Sequence, residues 1–325
     1  MNNINKESNN QISQEMPIPL EYGGQRFDKV AALIFSEFSR AELTRWIVDG
    51  VLTLDGNASK PKTTVWGGEV LALNAVREVR EAWDKAEEVD FDIIFEDEDI
   101  IVINKPVGLV VHPGAGNPSG TLVNGLLHHR SNLGELPRAG VIHRLDKDTS
   151  GVMVVAASHK AQKHLVDAIQ ERAVERRYMA ICEGVMVTGQ DVDKPIGRDP
   201  KVRTKQAIRD DGKPALSQIR IRERYRTHTL VNGQKLGSGR THQIRVHMQS
   251  IGFPLVGDNR YGCRRIIPKG ADPETIDVLR NFKRQALHAA KLAFVHPQTG
   301  EMMKFATRPP EDFNLLNETL AEDAR

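Results

Sequence analysis

Apolar and polar positions along the chain fall into two regimes. Between residues 17 and 76, Val30, Leu33 and Ile34 recur at helical spacing, and Leu43, Trp46 and Ile47 follow as a second set, which predicts two consecutive helices. Ser39 precedes Arg40-Ala41-Glu42 in a capping-box pattern that marks the second start, and Gly50 is placed to end that helix. VLTLDGN then alternates into an Asp-Gly turn, a hairpin signal, with GGEVLAL as the partner strand. From residue 91 onward strand-like runs alternate with turns: FDIIFEDEDIIVINKP, GVMVVA, RRYMAICEG, ALSQIRIRERY, THQIRVHM, ALHAAKLAFVHP and MMKFATRPP. One helix is predicted in HKAQKHLVDAIQER, with Leu165, Val166 and Ile169 as its apolar positions. Many antiparallel strands with few helices predict an α+β sheet domain.

Three segments fall outside these patterns. Residues 1–16, rich in Asn, Gln and Ser, bury too little apolar surface to offset their ordering entropy and are expected to be disordered. Residues 77–90, REVREAWDKAEEVD, are charge-dense and expected to link a small module (17–76) to the larger domain (91–315). Residues 316–325 are expected to form a C-terminal tail. A chain of 325 residues accommodates two domains, and 39% apolar residues supply cores for both. A net charge of +2 neither demands nor excludes a nucleic-acid partner, because only a clustered basic surface matters for phosphate binding. Cys182 and Cys263 lie far apart without metal-type spacing, which argues against a disulfide framework and a zinc site and suits a reducing cytosol. The first residues lack the basic and apolar stretches of a signal peptide, and no apolar run approaches the ~18–20 residues that span a bilayer. The expectation is a soluble, cytoplasmic protein.

Chemistry concentrates in two places. His143-Arg144-Leu145-Asp146-Lys147-Asp148-Thr149-Ser150-Gly151 packs two carboxylates, two cations and a histidine into a turn-like stretch. One reading is a solvated polar turn in which Gly151 supplies an unusual dihedral, and the other is a site. In Gly239–Met248, QIRVHM alternates, so as a strand it places Gln243, Arg245 and His247 on one face. Those residues are either a polar outer face or an inward Arg245 paired with a carboxylate. HPGAGNPSG gives G-x-G-x-x-x-G, one residue too long for a dinucleotide loop. His242 and His247, five apart, match no shared face for metal ligation. Asp146 and Asp148 are too close on one turn for a glycosidase pair, whose carboxylates flank the sugar ~5–9 Å apart.

In order, EDEDIIVINKPVGLVVHPG, HRLDKDTSG, RRYMAICEG, GRTHQIRVHM and IGFPLVGDNRYG resemble the RluA family of pseudouridine synthases over residues 91 to 310. RFDK, SRAELTRWIVDGVLTLDG and the Lys60–Lys62 hairpin resemble an S4 RNA-binding domain. Gly237-Ser238-Gly239-Arg240 replaces the family's usual Thr before Gly-Arg, and Gly67-Gly68-Glu69 replaces Gly-Asp. The resemblance implies an α+β chain: a small S4-like module, then a catalytic domain on a mostly antiparallel mixed sheet flanked by helices. It implies an isomerase that converts uridine to pseudouridine with no cofactor and no metal, as a monomer acting on 23S rRNA or a pre-50S particle. The implied target is the helix 69 stem-loop. By resemblance Asp146 is the essential carboxylate, Arg245 stabilises its charge, and Tyr178 stacks on the base and is a candidate acid/base. Arg144 fills the gap left by the flipped uridine, and Arg26, Lys29, Arg40, Arg45, Lys60 and Lys62 meet phosphates. The other function classes are a ribosome-assembly factor that binds RNA without catalysis, a synthase acting on another structured RNA such as tRNA, and a hydrolase using Asp146.

Overall fold

The computed structural model describes residues 11–36, 38, 40–76, 85–114, 116–202, 204–236 and 239–325. Ser39, residues 1–10 of the expected tail, residues 77–84 of the expected linker and Gly237-Ser238 lie outside the described residues. The chain divides into two compact units, one ending at Ala82 and one beginning at Trp83.

The N-terminal unit contains β1 (Gln11–Pro17), α1 (Phe27–Ile34), α2 (Arg40–Val48), β2 (Leu52–Leu54) and β3 (Val70–Val76). Both predicted helices form, and Phe27, Val30, Leu43 and Ile47 bury against Leu52, Leu71 and Leu73 of the sheet. Gly50, at φ 74°, follows α2 in the left-handed conformation that a helix stop requires. The strand order is β1-β3-β2. Residues 11–16 correct the expected disorder: they form a strand antiparallel to β3, from Gln11 opposite Val76 to Pro17 opposite Val70. An edge strand needs only backbone pairing and one apolar contact, here Ile12 on the core, so its polar composition conceals it.

The second unit contains β4 (Asp92–Glu96), β5 (Ile100–Lys105), α3 (Leu122–His129), β6 (Ser150–Ala156), α4 (His159–Gln170), β7 (Glu175–Glu183) and β8 (Gln190–Asp193). There follow β9 (Ile196–Arg198), β10 (Gln206–Ile208), β11 (Leu216–Arg224), β12 (His228–Leu236), α5 (Gln243–Ser250), α6 (Pro273–Asn281), β13 (Leu287–Val295), β14 (Met302–Ala306) and α7 (Glu311–Asp323). Among the described residues one sheet runs β4-β5-β6-β13-β7-β12-β11-β8, with β14 on β13, and β9 and β10 form a separate pair. Every pairing in the large sheet is antiparallel except β13 with β6. The architecture is the expected α+β, a mixed sheet flanked by helices. Ile101, Ile103, Met153 and Val155 bury on one face under α3, and Ile100, Val102 and Val154 bury on the other under α4. Two covered faces explain why β5 and β6 read as continuous apolar runs.

Three expectations need correction here. QIRVHM is a helix, α5, and all six residues are buried. A helix buried all round carries no apolar stripe, so its chance alternation mimics a strand. Residues 85–90 dock onto α3: the Asn124 side chain donates to the Lys85 carbonyl at 2.8 Å, and Gly120 N–H donates to the Glu87 carboxylate at 2.7 Å. The expected tail belongs to α7, which buries Phe313, Leu316 and Leu320. Their i, i+3, i+7 spacing is a helical stripe diluted by Asn and Glu. No described helix is long and apolar enough to cross a membrane.

Candidate active site

The polar stretch 143–149 is the loop that leads into β6, and it is held from three sides. His143 Nε2 accepts the Val154 N–H at 3.2 Å. Burial, with Arg176 and Lys235 nearby, pushes this imidazole down to about 3, so it is neutral and fit to accept. Lys105, fully buried at the end of β5, donates from Nζ to the carbonyls of Pro106, Leu109 and Lys147 at 2.7, 2.9 and 3.0 Å. Burial pulls its ammonium down to about 7. From the far side, Arg284 donates to the Asp148 carbonyl at 3.2 Å and Gln285 to Thr149 Oγ1 at 3.0 Å. Gly151 then enters the sheet at φ 118°, where a Cβ would lie 2.2 Å from the Ala289 carbonyl oxygen. No other residue fits this close strand approach.

This anchoring presents Asp146 to α5. Arg245 Nη1 donates to Asp146 Oδ2 at 3.0 Å. The same guanidinium makes its bidentate contact elsewhere: Nε and Nη2 donate to the two oxygens of buried Asp258 at 2.7 and 2.9 Å. Its Cζ lies over the Tyr261 ring, 4.9 Å from the centroid. The expected pairing of Arg245 with Asp146 is therefore present, but through one N–H. Burial works against the Arg245 cation, and Asp258 and Asp146 outweigh it, so its pKa is raised. Burial likewise raises the Asp146 carboxyl, and the surrounding positive charge more than reverses this, leaving it below its ordinary value. That charge comes first from His242, which is protonated at the low pH where Asp146 titrates, and then from Arg245 and Lys235. Burial takes the His242 imidazole down to about 4, so at neutral pH the cations facing Asp146 are Arg245 and Lys235.

His242 caps α5 in the left-handed conformation, φ 57°. Its Nδ1 lies 2.7 Å from the Tyr261 hydroxyl, which accepts the Gln206 N–H at 2.8 Å. The other ring nitrogen, Nε2, lies 3.8 Å from Asp146 Oδ1. Asp146 thus meets a cation at one oxygen and the imidazole, beyond hydrogen-bond reach, at the other.

Two cavities meet at Asp146. One, of about 510 Å³, is lined by His112, Asn117, Asp146, His242, Arg245 and Arg284. The other, of about 420 Å³, is lined by Arg144, Asp146, Arg176, Tyr178 and Lys235. Tyr178, on β7, is buried, and Lys235 Nζ sits 4.6 Å from its ring centroid. Arg144 is exposed and lines both. The fold thus gathers Asp146 and Arg144, Tyr178, and Arg245 from three distant segments. Sequence reasoning missed Asp258 and Tyr261, which lie in the quoted tract IGFPLVGDNRYG, and Lys105, His242, Lys235 and Arg284. The HPGAGNPSG loop, set aside as a nucleotide motif, lines the larger cavity through His112, Gly114 and Asn117. Among the described residues no cluster of His, Cys, Asp or Glu is arranged to hold a metal ion.

In the N-terminal unit, Lys29, Lys60 and Lys62 are exposed and Arg45 is half-buried. Arg26 and Arg40 are engaged by one carboxylate: Asp28 accepts two N–H groups from Arg26 at 2.9 and 2.8 Å and one from Arg40 at 2.9 Å. Burial opposes the Asp28 charge, and the two guanidiniums outweigh it and lower its pKa. Beside that carboxylate the Arg26 and Arg40 side chains remain 47% and 52% exposed.

The family model described as RNA pseudouridylate synthase matches residues 99–250. Ribosomal large subunit pseudouridine synthase D of Vibrio vulnificus is 50% identical over 303 residues, 93% of each chain. The protein of the same name from Pseudomonas aeruginosa is 49% identical over 312 residues, 96% of this chain and 97% of that one. The chain belongs to the RluA family of pseudouridine synthases. The solved structure of human RNA pseudouridylate synthase domain containing 4 superposes on this RluA-family fold with a TM-score of 0.55. It is 26% identical and covers 71% of this chain and 93% of that one. As an RluA-family synthase the protein is an isomerase. It breaks the N1–C1′ bond of uridine and joins C1′ to C5. N1 ends with a proton and C5 loses one, so atoms and electrons balance within the substrate.

Proposed function

We propose that the chain isomerises uridine in 23S rRNA, at the helix 69 stem-loop, during maturation of the large subunit in the cytoplasm. The observation that carries the chemistry is Asp146, held ionised by Arg245 where two cavities meet. Attack on a sugar carbon and proton abstraction at C2′ both require that ionised form. Arg245 keeps the charge, Tyr178 in the lining of the smaller cavity stacks on the base and is the candidate acid/base, and Arg144 occupies the space vacated by the flipped nucleotide. The substrate reading draws support from relatives named for the ribosomal large subunit, and a loop suits it because unpaired bases flip at lower cost. The N-terminal unit acts as an S4-like RNA anchor through Lys29, Lys60 and Lys62.

Mapping pseudouridines in 23S rRNA from a strain lacking the gene tests the target. Loss at helix 69, restored by the parent gene and not by Asp146→Asn, is expected. An unchanged 23S pattern refutes it. With RNA labelled at uridine C5, isomerisation releases the label, hydrolysis frees uracil, and a pure binder does neither.

A further inference from the structure

A third cavity adjoins the site, of about 600 Å³, between the β9–β10 pair and the loop before α5. Arg144, Gly239, Arg240 and Thr241 line both it and the cavity that holds Asp146 and Tyr178, so the two are immediate neighbours. Its other walls carry Arg198 on β9 and Lys213, both exposed. The carboxylate in its lining, Asp211, is already taken by Arg209 through two bonds of 2.6 and 2.7 Å. Among the described residues no ion pair neutralises Arg144, Arg198 or Lys213. Gly212 lets the turn after β10 pack closely on β9: a Cβ there would come within 2.7 Å of the Ile196 backbone.

An isolated two-stranded pair is marginal on its own. This one is tied to the catalytic unit twice. Ile196 buries with Val246 and Tyr261, and Gln206 N–H donates to the Tyr261 hydroxyl. Tyr261 is also the ring beneath the Arg245 guanidinium. The cationic groove and the carboxylate site therefore share one rigid support.

We propose that this groove is a second RNA subsite, holding the sugar–phosphate backbone that leads to or from the target uridine through Arg198 and Lys213. Uncompensated cations on an open groove fit polyanionic backbone, and the shared lining at Arg144 and Arg240 sets the groove directly beside the cavity for the base. The proposal rests on the reading of Asp146 as the centre of the reaction.

The test is the Arg198→Ala/Lys213→Ala variant of the full chain, assayed on a 23S rRNA transcript for turnover and for binding across a salt series. KM is expected to rise at least about fivefold with kcat within about twofold. The slope of log affinity against log salt becomes shallower by roughly 1.4–1.8, from two lost phosphate contacts at ~0.7–0.9 each. The Arg198→Lys/Lys213→Arg variant keeps both charges and retains most of the parent affinity. Unchanged KM and slope overturn the subsite. So does a loss confined to kcat, or an equal loss in the charge-retaining variant. If the parent itself forms no pseudouridine in the transcript, the reading of the site fails in parent and variant alike, while the salt series still decides the groove.

Discussion

Arg245 grips Asp258 with two N–H groups and reaches Asp146 with one. The guanidinium is therefore oriented by Asp258 and offers its remaining edge to the carboxylate in the cleft. Arg245 and Asp258 side chains are 7% and 1% exposed, so neither solvent nor salt screens the pair.

Asp258→Asn is accordingly expected to harm both stability and turnover. Breaking a buried pair from one side typically costs about 3–5 kcal/mol. For a unit of this size, that corresponds to a melting point lower by roughly 6–20 °C at ~2–4 °C per kcal/mol. With its orienting partner gone, Arg245 no longer fixes the Asp146 oxygen, and kcat should fall at least about tenfold. A melting curve within ~1 °C of the parent, with unchanged kcat, would show that Asp258 is not the orienting group.

Asp146→Asn separates chemistry from architecture. The side chain is 16% exposed and its loop is fixed by backbone contacts to Lys105, Arg284 and Val154, none of which uses the carboxylate. The melting point should drop less than for Asp258→Asn, and RNA affinity should stay within several-fold. Turnover should fall by more than the ~10²–10⁴-fold attributed to a positioned acid or base. Single-turnover assays with C5-labelled RNA read it directly, and activity within tenfold of the parent sinks the assignment.

Why some of this was visible in the sequence follows from range. HRLDKDTSG is contiguous, its glycine is demanded by a close strand approach, and its family likeness points at Asp146. Strands β5, β6 and β7 announce themselves because apolar runs leave little choice. Helix α5 does not, since it is buried on every side and its alternation is accidental. The partner of Arg245 was hidden for another reason. Asp258 is thirteen residues away, and which of two carboxylates takes the bidentate contact is decided by the loop that Gly257 turns at φ 73°. The ion pairs of Arg26 and Arg40 were not legible because nothing local shows that Asp28 is buried between them. Lys105 drew no notice, because no local pattern shows that three backbone carbonyls hold it inside.

The boundary between the units has a measurable consequence. A chain beginning at Trp83 keeps the contacts of Lys85 and Glu87 with Asn124 and Gly120. A chain beginning at Phe91 loses them, together with the packing of Val89 over Gly125, where the β-carbon site of Gly125 lies 2.8 Å from Val89 Cβ. Asn124 is fully buried, and leaving its amide short of an acceptor costs about 1–3 kcal/mol. The shorter chain should melt several degrees below the longer one by calorimetry. Equal melting points would return residues 85–90 to the status of a passive linker. Both chains lack the N-terminal unit, so both should show a shallower salt dependence of rRNA binding than the full protein.

Removing the cation itself gives the most diagnostic pH behaviour. In the parent, Asp146 lies below its ordinary value of 3.8, so its stabilising contribution is present above that value and is lost only as pH falls through the lowered one. Across neutral pH this group leaves both stability and rate flat. In Arg245→Met the opposing influence, burial, dominates and Asp146 rises above its unfolded value. The sign then reverses: the folded form prefers the proton, so stability is greatest at low pH and declines as pH rises through the new value. Activity moves the other way, because a protonated Asp146 is neither nucleophile nor base. It should be depressed at neutral pH and recover partly as pH increases. Asp258 also loses its partner, so the overall stability cost should reach about 3–5 kcal/mol. Arg245→Lys should be intermediate, since an ammonium keeps the charge but cannot hold Asp258 with two N–H groups while reaching Asp146 with a third. Melting curves and pH–rate profiles of the two variants measure this. A stability change within ~0.5 kcal/mol and a flat profile for Arg245→Met, as an exposed arginine gives, would remove Arg245 from the site.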